Sequence, residues 1–223
     1  MNTVNLLLAG IFAVSVCMAQ SGANGDTVMD VDGNAYHAVK IGTQVWTVEN
    51  LRTTKYNDGS SIPLVKDSAA WGNLTAPGYC YYNNTADIDT IKKFGALYNW
   101  YVVDTKRLAP KGWHVPTDPE WSALTAFLGG EAVAGGKLKE AGTRHWITPN
   151  TGATNATGFS ALPGGYRGYD GTFHYVRGYG GWWSSTASDT TFSWFRSMYY
   201  SNADVFRRDY YETYGFSVRC VRD

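Results

Sequence analysis

Apolar residues keep two different periods along this chain, and the change between them falls near Gly142. The stretch "VMDVDGNAYHAVKIGTQVWTVENL" reads as a strand, a turn at Asp32-Gly33, and further strands punctuated by Gly42. Residues 52–76 are loop-like around "NDGSSIP", and "GYCYYNN" predicts a short aromatic strand. "ALYNWYVVDTKRL" predicts a helix with Leu97, Trp100, Tyr101 and Leu108 roughly on one face. The strongest local signal is "GWHVPTDPEWSALTAFLGG". Thr117 and Glu120 form a capping box, Pro119 falls in the first turn, and Trp121, Leu124 and Leu128 make the stripe that Gly129-Gly130 ends. A second, glycine-weakened helix is predicted over Val133 to Ala141. Beyond Gly142 the helical period is gone. "GFSALPGGYRGYDGTFHYV", "YGGWWSST", "FSWFRSMYY", "ADVFRRDYY" and "YGFSVRCVRD" are aromatic or β-branched runs bounded by Gly, Asn, Asp or Ser. The pattern predicts an α+β domain, with one or two helices followed by a long, irregular, mostly antiparallel β region.

The first residues obey neither period. "VNLLLAGIFAVSVCMAQ" is an apolar run ending in small side chains, the form of a secretory signal peptide cleaved after Ala19. The alternative is acylation at Cys17, but Val16 stands where a lipobox carries Gly, Ala or Ser. The expected division is a signal peptide over 1–19, a polar linker over 20–27 and one domain over 28–223. Nothing later is apolar for long enough to span a bilayer. The chain is therefore expected to be exported to the cell envelope or beyond.

Composition narrows the function. With 19 basic and 19 acidic side chains the net charge is zero, which argues against a broad grip on nucleic acid or anionic membrane. The chain carries 9 Trp and 16 Tyr, which suits both a β-rich core and a binding face. Without the leader two cysteines remain, Cys80 and Cys220, and an even pair in an exported chain predicts one disulfide. Two thiols with four histidines of this spacing do not build a zinc site. Asp30, Asp32 and Gly33 overlap the middle of a calcium loop, but the register puts its first ligand on Val28 and its closing Glu on Val39. A hairpin turn is the better reading.

Catalytic arrangements are scarce. "GWWSST" and "GFSALPGG" contain serines but no nucleophile elbow, and "GYGGWW" lacks the setting and the lysine of a phosphate loop. His114 sits just before a helix cap, and Glu120 is accounted for by the capping box. The segment from Phe192 to Tyr214 stands out instead, because it mixes rigid rings with adaptable hydrogen-bonding groups. Its Trp194, Arg196, Tyr200, Asp204, Arg207, Asp209 and Tyr211 are the candidate ligand-binding residues.

The blocks "DVDGNAYHAVKIGTQVWTVENL", "LYNWYVV", "LAPKGWHVPTDPEW", "GFSALPGGYR", "GWWSST" and "YGFSVRCVRD" resemble the Fibrobacter succinogenes major paralogous domain family, in its order and over about residues 30 to 223. That family is similar in turn to the C-type-lectin-like fold in its formylglycine-generating-enzyme form. The resemblance implies a compact α+β domain whose terminal β region holds the chain ends together. It also implies that Cys220 matches a structural position, while no cysteine in "FRSMYYSNADVFRRDYYETY" matches the reactive pair of those enzymes. Some members of the wider fold bind calcium, but no ligand for it carries over to a residue here. Related domains often serve as ligand-display scaffolds, and in some the strands just before the terminal block are diversified; the segment from Trp194 to Tyr211 occupies the comparable place. The expectation is a secreted or cell-surface, non-catalytic module that needs no cofactor and binds a glycan or a surface protein. The alternative is a hydrolase or metal-dependent oxidase on the same scaffold.

Overall fold

Thr27–Met29 (β1) and Ala35–Ile41 (β2) pair antiparallel across a turn at Gly33, whose φ of 80° only glycine adopts without strain. The computed structural model describes residues 26–223, so the expected leader and most of the linker lie outside the described residues. The Asp30 carboxylate accepts from the Asp32 and Asn34 backbone, the Asn34 amide and the Tyr36 hydroxyl. Asp32 accepts from Thr53 and Thr54 and pairs with Lys55 at 3.2 Å. Both carboxylates are occupied in holding the turn. Gln44–Thr47 (β3) then pairs with β2.

The loop-like region is more ordered than its composition suggests. It contains Ser68–Gly72 (α1), capped by the Asp67 carboxylate. Tyr79–Cys80 (β4) follows, then Ile88–Phe94 (α2), capped by Asp87, and Leu97–Tyr98 (β5), which pairs with β4. The helix expected over 96–108 shrinks to Trp100–Asp104 (α3). Asn99 stays extended, accepts from the backbone of Val102 and Gly78, and so separates strand from helix. Trp113–His114 (β6) leads into Asp118–Phe127 (α4), where the capping box between Thr117 and Glu120 forms as expected.

Glu131–Leu138 (α5) starts two residues before its predicted position. Its glycines have a packing role. A Cβ on Gly135 would collide with the Asp204 carbonyl, and one on Gly136 with the Gly152 carbonyl. The remaining elements are Tyr166–Arg167 (β7), Phe173–His174 (β8), Tyr179–Ala187 (β9), Phe192–Tyr199 (β10), Phe206–Tyr211 (β11) and Val221–Arg222 (β12).

These strands form a five-stranded sheet in the order β1-β2-β3-β12-β6, a three-stranded sheet β11-β10-β9, and the ribbons β4-β5 and β7-β8. The strand pairs within them are antiparallel, so the class is α+β. The last strand lies between β3 and β6, with Val221 opposite both Trp46 and His114. Eight of the nine tryptophans are buried, Trp194 being the exception. The indoles therefore build the core.

The expected disulfide fails here. Cys80 and Cys220 are both buried and both free thiols, so the disulfide is absent. Cys80 packs with Trp71 and Leu97, while Cys220 sits in a different apolar cluster and donates its backbone N–H to the Thr47 hydroxyl. Main-chain pairing of β12 does the closing that the staple was expected to do. Burial pushes the Cys80 thiol up to about 12 and raises that of Cys220 as well, so neither is a ready nucleophile. Arg219, which alternation would turn outward, is also buried: it donates to Asn50 and to the Phe159 and Ser160 carbonyls.

Candidate functional site

The three-stranded sheet has two faces, and they do different things. Cross-strand partners share a face, so Trp194 and Arg196 of β10 go with Asp209 and Arg207 of β11, their neighbours in register. This face packs on the start of α4. Arg196 is fully buried and donates to the Asp118 carboxylate at 2.7 Å and to the Ser122 hydroxyl. Arg207 reaches the same carboxylate through Nε at 3.0 Å and through Nη2 at 3.1 Å, with its guanidinium 3.5 Å from the centroid of the Trp194 ring. Burial pushes the Asp118 carboxyl up, but hydrogen bonds from Arg207 and Arg196 outweigh it and hold the group below its ordinary value. Removing Asp118 would leave Arg196 as an uncompensated buried charge, a loss of about 3–5 kcal/mol. Arg196 is thus a structural group.

The other candidates scatter. Asp209 accepts from the Ser188 hydroxyl at the exposed edge. Tyr211 lies against Phe192 and Tyr169. Asp204 sits in the β10–β11 connection, where its backbone N–H is held by Asn202 and its carbonyl lies over Gly135. Of the seven, only Tyr200 reaches the cavity described next.

The opposite face of β10 and β11 carries Phe195, Tyr199, Phe206, Arg208 and Tyr210. It forms one wall of a cleft of about 480 Å³, within the ordinary range for small-ligand sites. The lining residues are Ile147, Tyr166, Tyr175, Val176, Gly178, Tyr179, Tyr199, Tyr200, Tyr210, Tyr214 and Phe216. Seven are tyrosines and none is a carboxylate. β7 supplies Tyr166, whose ring stacks on His174 at 5.0 Å, and β9 begins with Tyr179. Tyr179 meets Tyr166 at 5.3 Å and 69°, and Tyr199 at 5.0 Å and 73°, so successive rings turn steeply from one another. Tyr210 and Tyr214 close the far side at 4.7 Å.

The rim is made of strained backbone. Tyr175 and Arg177 have φ of 56° and 70°, a left-handed conformation that costs non-glycine residues of order 1 kcal/mol each. The Tyr175 carbonyl accepts from Gly178 and Tyr179, and Arg177 is tied to Pro163 and Ile147. This holds Tyr175, 67% exposed, at the mouth. Burial pushes the Tyr166 and Tyr214 hydroxyls up to about 12, with the neighbouring Tyr210 adding to both, and it raises Tyr179 and Tyr199 also. The phenols therefore stay neutral, each able to donate and to accept one or more hydrogen bonds.

The sequence carried a signal for this site. Nine of the sixteen tyrosines fall between Tyr166 and Tyr214, and this crowding of one amphipathic residue type marks the cleft lining, which the mixed Trp, Arg and Asp set does not. His114 bridges Asp223 and Glu120 and lines a smaller cavity of about 260 Å³. Among the described residues no group of three or more His, Cys, Asp or Glu side chains is arranged to hold a metal ion. No described helix is long and apolar enough to cross a membrane.

The family model of the Fibrobacter succinogenes major domain matches residues 39–222, which take in every residue lining the cleft. No curated protein and no solved structure matches the chain.

Proposed function

The chain belongs to the Fibrobacter succinogenes major domain family, and we propose that it is a secreted or cell-surface binding module of C-type-lectin-like fold, with no catalysis of its own. Its ligand, a glycan or another surface macromolecule, enters the tyrosine cleft. The observation that carries this reading is the cleft itself: seven tyrosines from separate elements between Tyr166 and Tyr214 share one concave surface of ligand size. Rigid phenols give contact area at low entropic cost, and their neutral hydroxyls supply directional bonds. The lectin-like assignment draws on the closing of β12 onto β3, near the start of the domain, after a long irregular β region.

Binding of the purified chain to an array of glycans and surface proteins tests the proposal. Tyr175→Ala removes the most exposed ring of the cleft and is expected to weaken the array signal about tenfold. A signal that survives this substitution but is lost in Trp194→Ala would move the site to the other face.

A further inference from the structure

We infer that the cleft takes a methylated ammonium group belonging to a zwitterion, as in choline phosphate, with the anionic end at Arg208. The inference rests on the cleft being the binding site, and it names the chemistry bound there.

Ring geometry is the first ground. A bare sugar ring is held on a flat exposed ring flanked by amide or carboxylate side chains, and the lining residues include neither side chain, so the group that enters is a substituent carried on the glycan or surface macromolecule. Tyr166, Tyr175, Tyr210 and Tyr214 instead lie within 34–36° of their ring neighbours, while Tyr179 stands at 69° to Tyr166 and 73° to Tyr199, so one wall of tilted rings meets a second turned steeply to it. Such a box fits a rounded, weakly hydrated group, and the negative ring faces attract a cation. The raised hydroxyls keep those rings neutral.

Charge supplies the second ground. Arg208 alternates with Tyr210 on the cleft face of β11 and is exposed. Unlike Arg207, which is bound to Asp118, it has no carboxylate partner among the described residues. Its guanidinium lies 5.2 Å from the Phe206 centroid, and Phe206 meets Tyr199 at 5.4 Å. A simple cation would be repelled by this arginine, whereas a zwitterion presents it with an anion of the kind its planar fork binds well.

The test is calorimetric titration of the purified full chain with choline phosphate, choline, and 3,3-dimethyl-1-butanol, in which carbon replaces the ammonium nitrogen. Choline phosphate is expected to bind at least about tenfold more tightly than the neutral isostere. Tyr210→Ala should lower that affinity about tenfold, and Arg208→Ala should erase the advantage of choline phosphate over choline. Phe127→Ala, exposed on α4, should leave all three titrations unchanged. Vesicles of phosphatidylcholine, run alongside, bind if the group is presented on a lipid surface. Equal binding of the isostere, or binding indifferent to Tyr210→Ala, overturns the inference. If no choline compound binds while array binding is sensitive to Tyr175→Ala, this inference falls and the cleft stands. Silence in both experiments removes both.

Discussion

His114 holds three elements at once. Its Nδ1 contacts Asp223 at 2.7 Å beyond β12, and its Nε2 contacts Glu120 at 2.8 Å in the cap of α4, while its backbone belongs to β6. Burial lowers the imidazole's proton affinity, but the hydrogen bonds to Asp223 and Glu120 outweigh it and raise the group above its ordinary value of 6.5. The folded state therefore binds this proton more tightly than the unfolded chain. The stabilisation is complete below pH 6.5 and is lost as pH rises through the folded value. Thermal unfolding between about pH 6 and pH 7.5 should show a melting temperature that falls with pH, and His114→Gln should flatten that fall. Parallel profiles for the two proteins would sink this account of His114. At the same scale, Arg196 and Arg219 show why charge was a poor guide to exposure. Each is buried because carbonyls, Asn50 or Asp118 receive its N–H groups, and those partners lie some 60 to 170 residues away in the chain.

Elements with local signals were legible, and elements defined by distant contacts were not. The start of α4 could be read because Thr117, Pro119 and Glu120 state it within four positions. The seven residues of α2 show too little period to read, although Asp87 caps them. β10 is the instructive case. Ser193 and the run from Phe195 to Met198 are buried, so both faces of the strand are covered and alternation cannot say which one meets a ligand. The sequence reading chose the parity of Trp194 and Arg196, and the cleft uses the other. What fixes the end of β10 is Lys139, just after α5, whose ammonium donates to the Thr151, Tyr199 and Asn202 carbonyls. Burial pulls this amine down to about 8, so part of the cost of the clasp is desolvation. Lys139→Met should cost about 3 kcal/mol, because three part-buried carbonyls lose their donor. Chemical denaturation checks it, and a loss under about 1 kcal/mol would mean that the carbonyls find other partners. The same variant loosens the turn that carries Tyr199 and Tyr200 into the cleft.

At the scale of the whole molecule, the α+β class and the family were legible from blocks spread over nearly the full domain. The disulfide was not, because the parity of a cysteine count says nothing about where two thiols lie. The cleft was half legible. Tyrosine crowding marked the region, but its walls come from β7, the β8–β9 turn, β9, β10, β11 and the approach to β12, which only the fold assembles. The central claim is that function belongs to the tyrosine side of the three-stranded sheet. Tyr210 and Tyr211 are adjacent, 36% and 45% exposed, and only Tyr210 lines the cleft, while Tyr211 packs on Phe192 across the other face. Affinity for the strongest array ligand, compared between Tyr210→Ala and Tyr211→Ala, isolates that difference. The account predicts a loss of about tenfold or more for Tyr210→Ala and a change within about twofold for Tyr211→Ala; the reverse order would contradict it.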